Sequence, residues 1–208
     1  DLHTTNGTWH GYSLTWAPSY HYGGEAISYD YVNSKMLREI TNIVLKNHGL
    51  FLGPYGDYDL SAGWPPKDFF TYNHHPRYLV NQFSLRNRMA ILSEAFSHER
   101  FYQRIFSTYT FVTYILDYTH RNAKEIIDVN KKAEASAIKN VVENSGKVKK
   151  GVRFKMVSGE KINGFRTYDH IVKDNGVGQP IRTGNIVTYD SVNYHGRFEA
   201  TLKSTLPS

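Results

Sequence analysis

Residues 89–96 read Met-Ala-Ile-Leu-Ser-Glu-Ala-Phe, and this stretch decides the fold class that we predict. Its first four residues are all apolar. A short apolar run of this kind is typical of a strand buried on both faces, as in the middle of an α/β sheet. Glu94 follows directly after the run. Because ligands of open α/β sheets bind beyond the carboxyl ends of the strands, Glu94 is a candidate functional residue.

Two helices are predicted to flank this sheet, over residues 31–48 and 99–120. In the first, apolar residues recur at helical spacing: Met36, Leu37, Ile40, Ile43 and Val44. One of three residues is expected to cap its start, namely Asp30, Asn33 or Ser34, and Gly49 comes just past its end. In the second helix, five apolar residues share one face: Phe101, Ile105, Tyr109, Val112 and Leu116. Helical character is expected to resume over residues 126–137.

The remaining segments divide the chain into two predicted parts. Residues 1–30 indicate a strand end followed by a long surface loop. Residues 51–76 indicate a long irregular loop, which in compact domains is usually functional. After Gly146 the pattern changes to short β-like runs at 152–157 and 185–189, with hairpin signals at Asn163-Gly164 and Asn175-Gly176. We therefore predict an α/β domain at 1–145 and a β-rich segment at 146–208.

Composition excludes several classes of protein and site. The 208 residues contain no cysteine, so disulfides and thiolate metal sites are excluded. No apolar run approaches the roughly 20 residues that a membrane-spanning helix needs. Of the net charge of +6, residues 131–166 carry +7, with ten basic and three acidic residues, and the rest carry −1. We interpret this basic segment as a solvated surface and predict no nucleic-acid partner. Oligomeric state stays open.

His3 is the second candidate residue, because it stands at the end of a probable strand in Asp1-Leu2-His3-Thr4. A His and a Glu at two such strand ends could converge on one site. A poorly solvated carboxylate tends to have a raised pKa, which suits a general base. Position alone leaves simpler alternatives open. A strand-end histidine is often structural, and a glutamate after a strand is often the first-turn carboxylate of a helix.

Two segments resemble the bacterial zinc carboxypeptidases of the carboxypeptidase A family. The run from Asp1 to Gly7, followed by Trp9-His10-Gly11-Tyr12, is similar to the segment that carries that family's third zinc ligand. The later run is similar to the segment with its catalytic glutamate; it comprises Pro76-Arg77, Leu85-Arg86-Asn87-Arg88 and Ile91-Leu92-Ser93-Glu94-Ala95-Phe96. The order of the two segments and their separation in the chain also match those of the family. The resemblance covers roughly residues 1–125.

This resemblance implies a fold, an activity and a cofactor. The fold would be a partial mixed-sheet carboxypeptidase-like domain with flanking helices, followed by the small mainly β segment. The activity would be hydrolysis of a C-terminal peptide bond by a Zn²⁺-activated water, with His3 as a zinc ligand and Glu94 as general base. Tyr72 and Arg77 are candidates for holding the carboxylate of the peptide substrate. The resemblance also favours an extracytoplasmic or secreted bacterial protein.

The chain departs from the family's pattern at the other zinc ligands. The family takes them from a His-x-x-Glu motif before the His3 segment, and this sequence contains none. His21 and Glu25 stand four apart in a Gly-rich loop, where that spacing does not align two ligands. The adjacent pair His74-His75 would point to opposite sides of an extended chain.

Two accounts of the missing ligands follow. In the first, the chain is a fragment of a longer enzyme and lacks the first half of its catalytic domain. In the second, it is a non-catalytic peptide- or carbohydrate-binding module derived from that fold. Its 16 tyrosines and three tryptophans could supply stacking surfaces for the second role. We interpret Arg86 and Arg88 as structural.

Overall fold

A computed structural model describes residues 1–5, 7–20, 24–144, 146–172 and 180–205. Its helices are α1 (Ala26–Tyr31), α2 (Leu37–His48), α3 (Leu79–Ser84), α4 (Phe101–Arg121) and α5 (Ala123–Val142). A π-helical segment, Val32–Met36, joins α1 to α2. The strands are β1 (Leu2–Thr4), β2 (Leu14–Pro18), β3 (Leu52–Pro54), β4 (Asp68–Phe70), β5 (Ile91–Ala95), β6 (Lys149–Val157), β7 (Glu160–Ile162), β8 (Phe165–Ile171), β9 (Ile181–Tyr189), β10 (Val192–His195) and β11 (Arg197–Thr205). The predicted mixed α/β class is confirmed.

The sheet that positions the candidate residues has four strands, in the order β1-β5-β2-β3. β5 pairs in parallel with β1 and antiparallel with β2, and β2 pairs in parallel with β3. β5 is thus hydrogen-bonded on both sides, which explains why its apolar sequence is buried. The sheet is mixed, and β1 and β3 form its two edges.

Helices α2 and α4 cover one face of this sheet. Their contact surface forms a core in which Leu14, Leu37, Ile40 and Phe111 are almost fully buried. Helix α2 ends at Gly49, which adopts the left-handed conformation with φ of 65°. A residue without a Cβ favours that conformation, so the predicted end of the first helix is confirmed.

The opposite face of the sheet packs against aromatic residues and the C-terminal strands. Ala17 and Leu92 project from β2 and β5 into a cluster with Tyr20, Val80 and Phe198. The C-terminal strands form a sheet of order β4-β10-β7 and two antiparallel pairs, β6 with β11 and β8 with β9.

The boundary near residue 145 stays a prediction, but pairing does cross it. β10 pairs with β4, which precedes residue 145 in the chain. An isolated bridge joins His10 to Thr167, and the amide of Gly11 donates to the carbonyl of Arg166 at 2.8 Å. The described elements after residue 145 are all strands.

Several local predictions were wrong. The first helical run starts at Ala26, with Glu25 at the N-cap position, not at residues 30–34. The predicted surface loop of residues 1–30 contains β2, which is central to the sheet. The predicted irregular loop of residues 51–76 contains β3, β4 and a 3₁₀ turn at Leu60–Ala62. These short strands pair with distant segments, so no local periodicity marks them.

The turn predictions have a mixed outcome. Asn163-Gly164 connects β7 to β8, but these strands pair with β10 and β9 respectively, so the predicted hairpin there is wrong. Asn175-Gly176 lies outside the described residues. Each helix that the structure describes is too short or too polar to cross a lipid bilayer.

The span predicted for α4 is confirmed. Its apolar stripe, however, lies on the surface of the protein. Phe101 is 70% exposed and Tyr109 is 69% exposed, with Ile105 and Leu116 also largely exposed. The side that packs on the sheet carries Ser107, Thr110, Phe111 and Tyr118. Within the part of the chain that the structure describes, more than half of each side chain of this stripe (Phe101, Ile105, Tyr109 and Leu116) is exposed.

Candidate active site

His3 and Glu94 lie side by side on neighbouring strands. In the parallel pairing of β1 with β5 they are register partners. Partners in a parallel ladder project to the same face of the sheet, because side chains alternate with a period of two along both strands. The face is the aromatic one, since Leu92, two residues before Glu94, belongs to the cluster on that side.

Glu94 lies within a strand, which corrects its predicted position after one. It is the fourth residue of β5, and its backbone is paired with His3 on one side and Thr15 on the other. The apolar run ends at Leu92, but pairing on both sides extends the strand to Ala95. Ladder hydrogen bonds use backbone groups only, so the polar side chains of residues 93 and 94 do not end it.

The carboxyl group of Glu94 is buried and has a raised pKa. The residue is 7% exposed, and its Oε2 atom has no hydrogen-bond partner within the described part of the chain. Burial disfavours the charged form and raises the pKa from 4.5 to about 7, while the nearby His3 acts in the opposite direction. Glu94 can therefore gain and lose a proton near neutral pH.

His3 is exposed and tied to Asp1. Its Nε2 atom lies 2.9 Å from Oδ1 of Asp1, and about half of the side chain is open to solvent. The backbone of Asp1 continues the strand pairing, because its carbonyl accepts a hydrogen bond from the amide of Ser93 at 2.9 Å. Asp1 thus orients the imidazole, as carboxylates often do for histidines at functional sites.

Two tyrosines stand beside Glu94. Burial raises the pKa of Tyr72, and among the further causes is the charge of Glu94. The Tyr72 hydroxyl is buried without a hydrogen-bond partner in the described residues. Burial also raises the pKa of Tyr55 to about 12, and the largest additional cause is the charge of Glu94. The two rings are in edge contact at 5.7 Å between centroids.

Tyr55 is a site residue that our sequence reasoning missed. It stands in Gly53-Pro54-Tyr55-Gly56, inside the segment that the sequence marks as functional. That segment offered a signal, but no spacing rule connects Tyr55 to Glu94. Tyr55 comes within range of the charge of Glu94 because β3, which directly precedes it, joins the sheet through β2.

Arg77 reaches the site through a third tyrosine. Its Nη2 atom donates to the hydroxyl of Tyr78 at 2.9 Å, and the guanidinium lies 4.9 Å from the centroid of that ring. The Tyr78 ring is 5.0 Å from the ring of Tyr72. Of the four residues predicted from the sequence, His3 and Glu94 are register partners, and the charge of Glu94 reaches Tyr72. Arg77 is linked to Tyr72 only through the ring of Tyr78. Arg77 lies at the exposed rim and contacts the site indirectly.

The other candidates take different positions. Arg88 forms an ion pair with Glu134 of α5, which agrees with a structural role. The rings of His74 and His75 stack at 4.9 Å, which corrects the expectation that they point to opposite sides. That expectation assumed an extended strand, and this segment is not one. His21 lies outside the described residues.

No metal site is complete within the part of the chain that the structure describes. No three His, Cys, Asp or Glu side chains there group closely enough to hold an ion. Comparison of the chain with protein-family models, with curated proteins and with solved structures finds no match to any of them. The resemblance to zinc carboxypeptidases therefore stays a prediction based on the two sequence segments.

Proposed function

We propose that this chain carries the general-base glutamate and one histidine of a metallocarboxypeptidase active site. The observation that carries the proposal is the pairing of His3 with Glu94 on adjacent strands, where burial raises the pKa of the Glu94 carboxyl to about 7. Perturbed carboxylates of this kind concentrate at functional sites. The substrate would be a peptide, cleaved at its C-terminal bond.

In this proposal Glu94 moves the proton. A carboxyl with a pKa of about 7 is about half ionised at neutral pH, so it can take a proton from water and later deliver it to the leaving amine. The hydroxyl of Tyr72 and the cation of Arg77, which are linked through the ring of Tyr78, would hold the terminal carboxylate of the substrate.

The residues of this chain alone do not fit a catalytic zinc ion. Such an ion takes three protein ligands and keeps one position open, where it activates water. The described residues contain no group of three suitable side chains, and Nε2 of His3 already bonds to Asp1. In this proposal the remaining ligands come from outside the described residues, and no step is derived from the metal.

Two surface features support a further segment packed beside this site. β1 is an edge strand, with one side of its backbone unpaired within the described residues. The apolar stripe of α4 is exposed. An open strand edge and a large apolar stripe are features that soluble domains usually cover. A segment that adds strands beyond β1 and packs on the stripe would cover both.

The first experiment uses this chain by itself. We expect elemental analysis to find clearly less than one zinc per chain, and we expect no cleavage of an N-blocked dipeptide. With two of three ligands missing, most of the roughly 10–16 kcal/mol that a complete zinc site provides is absent. Stoichiometric zinc that is lost on His3→Ala would overturn the incomplete-site part of the proposal.

The second experiment uses the coding sequence around residue 1. We expect a longer product that contains His-x-x-Glu, binds one zinc and cleaves the blocked dipeptide. In that product Glu94→Gln should lower kcat at least about a hundredfold, because general-base catalysis contributes that much. Zinc content should be unchanged. The control Glu99→Gln, five residues further along, should keep its activity.

Two results would overturn the catalytic proposal. One is a longer coding sequence that has no His-x-x-Glu motif. The other is turnover that survives Glu94→Gln. Either would favour the second account, in which the chain is a non-catalytic binding module.

A further inference from the structure

A cleft of about 730 Å³ lies between the first helical run and the C-terminal strands. One wall is formed by residues 26–38, and the other by residues 159–163 and 194–198. The volume falls in the range of clefts that hold small-molecule ligands, about 300–1,000 Å³. Neither Glu94 nor Tyr72 lines it, although the two regions adjoin, because Tyr20 of the cleft is in ring contact with Tyr72 at 5.3 Å between centroids.

Aromatic rings form part of the cleft and are held in place by their polar ends. Trp16 lines it, and its indole nitrogen donates to Oγ1 of Thr41 at 3.0 Å. Tyr194 also lines it, and its hydroxyl donates to the carbonyl of Tyr55 at 3.0 Å. Both side chains are partly exposed. Rigid aromatic rings give contact area at a low cost in conformational entropy, and the flat C–H faces of sugars pack on such rings.

Three short polar side chains line the helical wall of the same cleft. Asp30 of α1 and Asn33 and Ser34 of the π-helical segment all face this cleft. None of the three side chains makes a hydrogen bond or ion pair within the described part of the chain. The carboxylate accepts hydrogen bonds, whereas the amide and the hydroxyl can each donate and accept them. The hydroxyl groups of a sugar, each a donor and an acceptor, match this set.

The charges of the cleft favour a neutral ligand. Arg38 on one wall pairs with Glu160 on the other, with Nη2 2.9 Å from Oε2. The remaining charged side chains are Asp30, Lys161 and Arg197. Signs are mixed, so no single-sign field selects an anionic or cationic polymer. A peptide could instead add to the open edge of β7, but that strand has only three residues.

We propose that this cleft binds a short neutral oligosaccharide, which stacks on Trp16 and hydrogen-bonds to Asp30 and Asn33. The inference rests on the cleft alone and does not depend on the catalytic proposal.

The test is isothermal titration calorimetry of this chain with chitotetraose, cellotetraose and maltotetraose. We expect at least one of the three to bind. The double variant Asp30→Ala/Asn33→Ala should weaken its binding about tenfold or more, because it removes two hydrogen-bonding side chains. Both residues are at the surface of the helix, and circular dichroism checks that the variant folds.

The controls separate this site from other surfaces. Asn42→Ala, on an exposed position of α2 that does not line the cleft, should leave the affinity unchanged. Binding of none of the tetrasaccharides would overturn the proposal. So would binding that the double variant leaves intact, or binding of an alanine-glycine hexapeptide in place of every sugar.

Discussion

The buried carboxyl of Glu94 should make the protein less stable as pH rises through the neutral range. Its pKa is raised to about 7 in the folded protein, against 4.5 for an ordinary glutamate. Between these two values the folded state binds more protons than the unfolded state. Stability therefore falls as pH increases across this window. Glu94→Gln removes the titration and keeps the shape of the side chain.

The expected size follows from the shift in pKa. One pKa unit corresponds to about 1.36 kcal/mol, so a shift from 4.5 to about 7 corresponds to about 3 kcal/mol. The group is almost fully buried, so solvent screening does not reduce this figure greatly. Small domains have total stabilities of about 5–15 kcal/mol, so the effect is large enough to measure.

The assay is urea unfolding at pH 5 and pH 8, followed by tryptophan fluorescence. Other titrating groups are shared, so they cancel when the wild-type free energy of unfolding is compared with that of the variant. We expect the wild type to lose about 2.5 kcal/mol relative to Glu94→Gln between the two pH values, because an unfolded glutamate is already mostly ionised at pH 5. Glu199→Gln, which changes an exposed carboxylate on β11, serves as the matched control and should change the difference little.

Equal pH dependence in wild type and Glu94→Gln would refute the reasoning. It would mean that the carboxyl is solvated or paired in solution, and the support for a general base at this position would disappear. A pH effect of the opposite sign would mean that the carboxylate is stabilised by a cation.

Three further predictions test the stability of the protein at acid pH and the packing of its core. Burial lowers the pKa of His10 to about 4. The free energy of unfolding should therefore fall by about 3 kcal/mol as pH drops from 6.5 to 4. Urea unfolding of His10→Gln should not show this loss. Gly53→Ala would place its Cβ 2.6 Å from a buried tyrosine ring and should cost about 1–3 kcal/mol, whereas Gly184→Ala meets nothing within 4 Å and should cost far less in the same assay. Phe111→Ala in the core of α4 should cost about 3–5 kcal/mol, and Phe101→Ala on its exposed side should leave the chain's melting temperature nearly unchanged unless a partner covers the stripe.

Residues 89–96 and the apolar repeats were sufficient to predict an α/β class with helices at 31–48 and 99–120. Strong helical periodicity and Gly49 at a helix end are local signals, and the structure agrees with both. β2 escaped prediction because its five residues lie in a Gly- and Tyr-rich region. Their strand conformation depends on pairing with β3 and β5.

The candidate site shows the same division. His3 and Glu94 could be named from the sequence, since each stands in or beside a probable strand and in a family-like segment. Tyr55 could not, because it reaches Glu94 only through the pairing of β3 with β2. The cleft between the helical run and the C-terminal strands could not be predicted from the sequence either, because its two walls are more than 100 residues apart in the chain.

The sequence by itself determined where the long helices lie, apart from the start of the first, that the C-terminal part forms strands, and which His and Glu are candidates. It determined these because helix spacing, turn residues and short apolar runs act over a few neighbouring residues. Only the tertiary structure decided that Glu94 is inside a doubly paired strand, that its carboxyl loses water, and that the apolar stripe of α4 faces outward. Burial and strand pairing depend on contacts between residues far apart in the chain, and the periodicity of one helix does not say which neighbours its faces will meet.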